Sequence, residues 1–135
     1  MPVPAKRGGL VIGESEAQSL FIYAVCGGGK PGPKAGRGVN KVIAKLRAGV
    51  SAEWTDSHPF SLLNLHHEKE VAVLLAEAGF KPSLDKSKAI CQAAGLWVAD
   101  ILDLSKTDEA QLLRIPFVSA PMAALYLHNA NSKVA

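Results

Sequence analysis

Apolar residues recur at helical spacing through most of the chain, and no strand-length window shows sustained apolar/polar alternation. Ala17, Leu20, Phe21, Ala24 and Val25 lie on one helical face, and Ile22 and Tyr23 make the rest of that segment apolar too. The pattern predicts a central helix over residues 15–26, with Ser15 as N-cap and Gly27 as terminator. Val39, Val42, Ile43, Leu46 and Val50 mark one side of a second helix, with Lys41 and Lys45 a turn apart on the other. Asp56, Ser57 and Pro59 open a third, over residues 60–78, with an apolar stripe of Phe60, Leu63, Val71, Leu74 and Ala78. A further helical pattern covers residues 84–104 and is interrupted at Gly95. Asp108 and Gln111 are spaced as a capping box for a helix over 108–115, and Ser119 and Pro121 open a last one over 122–128. The expected fold is therefore all-α, a bundle of about five to six short helices.

Between the first two helices, residues 27–38 hold six glycines and two prolines, which predicts a long basic loop in place of regular structure. Residues 1–9 read as a flexible start and residues 130–135 as a polar tail. At 135 residues, 48% apolar and 20% charged, the chain has the size and composition of one globular domain. Cys26 and Cys91 are far apart, without CxxC spacing, and read as free thiols of a reducing compartment. The opening residues lack a signal-peptide core, and the long uncharged stretch 115–132 is broken by Pro116, Pro121, His128 and two asparagines. A cytoplasmic protein without membrane association is the expectation.

Charge changes the picture. Residues 1–52 carry eight Lys or Arg against Glu14 and Glu16, a net +6, whereas residues 53–135 have a net −3. Lys30, Lys34, Arg37, Lys41, Lys45 and Arg47 follow one another with no acid between Glu16 and Glu53. A phosphate backbone suits such a field, because each neutralised phosphate releases counterions and association is steered over distance. These six residues, helped by Lys6 and Arg7, are the expected nucleic-acid contacts, DNA or RNA, of a small non-catalytic accessory subunit in a nucleoprotein assembly. The basic segment has no aromatic residue for base stacking; Tyr23 and Trp54 flank it and read as core residues. The alternative is a protein-interaction module, an inhibitor, adaptor or assembly subunit, docking on an acidic protein surface. In either case the apolar last helix, through Met122, Leu125 and Tyr126, would contact a protein partner or a second copy.

Other chemistries find less support in the spacing. Gly29-Lys30 is followed by Pro31, which breaks the nucleotide-binding P-loop pattern. Residues 86–104 resemble a helix-turn-helix, with Gly95 as turn glycine and Ile90, Ala94, Leu96, Ile101 and Leu104 at the locking positions. That resemblance implies a sequence-specific regulator with a recognition helix from Trp97, although Asp100 and Asp103 on it would repel phosphates. His66 and Glu70 are one helical turn apart but lack a zinc-peptidase pattern; they read as a solvated pair, and His67 as a core histidine between Leu63 and Val71. No Gly-x-Ser-x-Gly elbow occurs, and neither cysteine has an activating charged neighbour in sequence. No catalytic residue, metal or cofactor is assigned.

Overall fold

A computed structural model describes residues 13–29, 32–81, 83–104 and 106–132. Among them lie seven α-helices and no strand: α1 (Glu14–Cys26), α2 (Pro33–Ala48), α3 (Pro59–Leu63), α4 (Glu68–Glu77), α5 (Leu84–Val98), α6 (Glu109–Leu113) and α7 (Ala120–Ser132). The all-α expectation holds, with one or two more helices than the periodicity suggested.

α1 is the hub. Ala17, Gln18, Phe21, Ile22 and Ala24 to Cys26 are all buried, and the helix packs on α7, α2, α5 and α3. Its N-cap is Gly13, not Ser15; Ser15 is already inside the helix, where its carbonyl accepts a bond from the Ser19 hydroxyl at 3.0 Å. Phe21 meets the Phe60 ring edge-on at 5.8 Å and the Tyr126 ring at 6.1 Å, which joins α1, α3 and α7 through aromatic quadrupoles. The Gln18 carboxamide oxygen accepts the Phe60 N–H at 2.8 Å inside this core, a bond that fixes where α3 begins.

Three helices end in the same way. After α1, Gly28 at φ +63° donates to Val25 O, and the next amide, Gly29, reaches back to Ala24 O. After α4, Gly79 at φ +103° and Phe80 repeat the pattern onto Ala76 O and Leu75 O; after α5, Asp100 and Ile101 repeat it onto Trp97 O and Leu96 O. Each is a Schellman cap, in which a left-handed residue lets the chain double back onto its own last carbonyls.

Several expectations need correction. The long glycine-proline loop over 27–38 is not present as such, because α2 already begins at Pro33. Proline at the first helical position loses no hydrogen bond, and its fixed φ starts the helix. Gly36 and Gly38 then continue it, and the cost of Gly38 is offset by close packing: a Cβ there would lie 2.6 Å from the Phe80 ring. The single helix expected over 60–78 is two, α3 and α4, separated at residues 64–67. His67 is not a core residue of that helix but the exposed N-cap of α4. Its Nδ1 accepts Lys69 N–H at 3.1 Å while Glu70 accepts the His67 N–H at 2.8 Å, a capping box that outcompetes helix continuation.

The helix-turn-helix is absent. α5 runs unbroken through Gly95, whose carbonyl accepts Ala99 N–H at 3.0 Å, and no helix follows over residues 99–104. The chain turns at Asp100, φ +62°, where a side chain that tolerates the left-handed region stands in for glycine. α6 is N-capped by Asp108, which accepts Gln111 N–H at 2.9 Å as one half of the expected box, and Ser119 accepts Met122 N–H at 3.3 Å at the start of α7. α7 extends to Ser132, into the residues read as a polar tail.

Candidate nucleic-acid interface

α2 carries the basic segment. Val39, Val42, Ile43 and Leu46 are buried along one side, so the side chains pointing away from the core are forced outward. Lys34, Arg37, Lys41, Lys45 and Arg47 are all exposed, and the helix contains no acidic residue. At about 100° per residue, Lys34, Lys41 and Lys45 share one row, Arg37 lies beside it, and Arg47 falls on the other flank.

The five are not equivalent. Lys45 pairs with Glu77 of α4 at 3.0 Å, both side chains about half exposed, and the Arg47 guanidinium donates to Ser57 O at 3.3 Å. Both also lie in the last turn of α2, where cations complement the helix dipole. Among the described residues, Lys34, Arg37 and Lys41 enter no ion pair. Lys34 moreover sits in the first turn of α2, where the dipole opposes positive charge, and the Gly32 N-cap brings no side-chain bond to offset it. The electrostatics of this face improve when an anion arrives. Lys30, Lys6 and Arg7 lie outside the described residues.

Tyr23 is half-buried and tied to the start of α2: its phenolic oxygen accepts Gly32 N–H at 2.6 Å. Trp54 is not the core residue its flanking position suggested; it is 40% exposed, with its indole N–H given to Asp56 O. The last helix is also placed differently from expectation. Tyr126 is fully buried, its hydroxyl donating to Leu104 O at 3.2 Å, and Leu125 is 8% exposed. Met122 packs against the core as well. The apolar character of α7 is turned mostly toward α1 and α6: Leu125 and Tyr126 are buried there, and Met122 is half-buried against the core.

One grouping escaped the sequence reading. Asp56 accepts the Ser61 hydroxyl at 2.7 Å, His58 N–H at 3.0 Å, and faces His58 Nδ1 at 2.7 Å. The Ser61 hydroxyl, followed by the His58 amide, holds the Asp56 carboxyl below its usual range. The serine bonds the carboxylate and not the imidazole, so the Ser–His hydrogen bond of a nucleophilic dyad is not formed; the cluster knots the turn entering α3. His66 Nδ1 lies 3.7 Å from Glu70, a partly exposed pair. Burial pushes the Cys26 thiol up to about 12, against a smaller opposing pull from Lys86, and burial raises the Cys91 thiol too, the reverse of nucleophile activation. Among the described residues no three His, Cys, Asp or Glu side chains are arranged to hold a metal, and no helix is long and apolar enough to cross a membrane.

The structure also brings to Lys34 two cations from outside the basic segment, Lys81 and Lys86. They follow the basic segment by more than thirty residues and belong to the acid-rich part of the chain, so no local signal marked them. No protein-family model, curated protein or solved structure matches the chain.

Proposed function

We propose that this protein is a non-catalytic binder of nucleic-acid backbone, an accessory subunit that grips phosphates through the outward face of α2. One observation carries the reading: Lys34, Arg37 and Lys41 are exposed together on a rigid sixteen-residue helix that has no acid of its own and, among the described residues, no ion-pair partner for them. Solvated cations held on a helix keep their geometry while releasing phosphate counterions, which gives affinity and position without base readout. Lys45 and Arg47 contribute less, since Glu77 and Ser57 O already engage them.

Fluorescence anisotropy with single-stranded DNA, single-stranded RNA and duplex DNA over a salt series tests this. With three phosphates neutralised, log K should fall with log salt at a slope of about −2 to −3. The Lys34→Glu/Arg37→Glu/Lys41→Glu variant should lose binding to all three probes while keeping its helical circular-dichroism spectrum. Absence of binding to every probe at low salt would sink the reading and redirect the search to an acidic protein surface.

A further inference from the structure

A second basic feature lies beside α2 and is concave. Where the end of α1, the first turn of α2, the α4–α5 junction and the first turn of α5 meet, an open groove of about 300 Å³ is lined by Lys34, Lys81 and Lys86, and no described acidic side chain lines it. Phe80 forms part of its wall. We propose that this groove binds a phosphoryl group, carried either by a small molecule or by the terminus of a nucleic-acid strand.

Three cations drawn from three separate elements gain nothing from one another; they repel, and a dianion among them removes that repulsion. Lys86 is already held, its ammonium donating to Cys26 O at 2.9 Å, which spends one of three protons and leaves the others directed by a fixed nitrogen. An apolar wall beside the charges excludes water on that side and strengthens their attraction for an anion. The space exceeds a lone phosphate and is the size at which small-ligand sites begin. The Phe80 ring offers a surface for whatever bears the phosphoryl group. Lys34 is shared with the outward face of α2, but Arg37 and Lys41 do not line the groove and Lys81 and Lys86 are not on α2, so variants outside Lys34 separate this site from backbone binding along α2.

Amide-resolved NMR titration of the full chain with potassium phosphate, against potassium chloride at matched ionic strength, tests it. Saturable shifts at Gly79, Lys81 and Lys86 that chloride does not produce are expected. Lys81→Gln, at an exposed position that leaves the fold intact, should weaken the apparent affinity by about tenfold, and Lys81→Arg should restore it. Arg37→Glu/Lys41→Glu should leave the phosphate titration unchanged even if it abolishes strand binding. Adenosine monophosphate, a terminally phosphorylated oligonucleotide and its hydroxyl-ended counterpart then identify the source. Preference for the mononucleotide assigns a small-molecule site, and preference for the phosphorylated over the hydroxyl end assigns a strand terminus. Shifts that track ionic strength without saturating, or that persist unchanged in both Lys81→Gln and Lys86→Gln, would overturn the proposal.

Discussion

Gly38 and Gly36 stand two residues apart in α2 and are there for different reasons. A Cβ on Gly38 would come within 2.6 Å of Phe80 Cζ and 3.4 Å of Ala78 O, so the helix can approach the α4–α5 junction only because the side chain is missing. Gly36 has nothing nearer than Tyr23 Cε1 at 4.0 Å. Gly38→Ala is therefore expected to destabilise by about 1–3 kcal/mol, as overpacking does, with the Phe80 ring displaced. Gly36→Ala should stabilise by about 0.5–1 kcal/mol through helix propensity alone. Urea denaturation of both variants checks this; equal effects of the same sign would mean that Phe80 does not constrain α2. The composition of residues 33–38 argued against a helix because propensity counts each glycine alone. Packing against Phe80 is a property of a residue more than forty positions away.

At the scale of elements, helix ends were harder to place than helices. The starts at Asp108 and Ser119 and the stops at Gly27 and Gly79 carry recognisable residue types, and the structure uses all four. The end of α5 does not, because its left-handed position is filled by Asp100 in place of glycine. The same bonds form nonetheless, Asp100 N–H to Trp97 O at 3.0 Å and Ile101 N–H to Leu96 O at 2.9 Å. Asp100→Gly should relieve the Cβ strain and stabilise by about 1 kcal/mol, read as a higher denaturation midpoint at unchanged slope. A loss of stability would show that α5 does not stop there. Similarly, nothing in the apolar stripe of residues 60–78 marked the break at 64–67, since Phe60, Leu63 and Val71 are buried in either arrangement. His67 decided it by capping α4.

For the molecule as a whole, two buried acids couple its stability to alkaline pH. Cys26 is raised from 9.0 to about 12 by burial, offset in part by Lys86, and burial likewise raises Tyr126, with Asp103 adding to it. A raised folded-state value means that the unfolded chain releases its proton first, so stability is intact below about pH 9 and declines as pH climbs toward 12. Each such group contributes a slope of about 1.4 kcal/mol per pH unit within its window. Denaturation midpoints measured from about pH 8 to about pH 11 should fall, and Cys26→Ala should make the fall shallower. A flat profile, or one unchanged in Cys26→Ala, would place the thiol outside the core.

What the sequence determined by itself was the helical period, the apolar identity of the core-forming positions and the run of cations without acids over residues 30–47. These are local quantities, written in spacing and composition, and they suffice for an all-α fold and for a basic face on α2. Only the tertiary structure decided how much of the last apolar helix was spare: Leu125 and Tyr126 fill the core, and Met122 is half-buried against it. It also decided which cations are free, since Glu77 and Ser57 claim Lys45 and Arg47 from 32 and 10 residues away. Finally, it placed Lys81 and Lys86 beside Lys34. Periodicity reports that a face must be covered or that a charge must be solvated. Which residue does the covering or the pairing depends on how the helices meet, and that arises from many weak contacts at once.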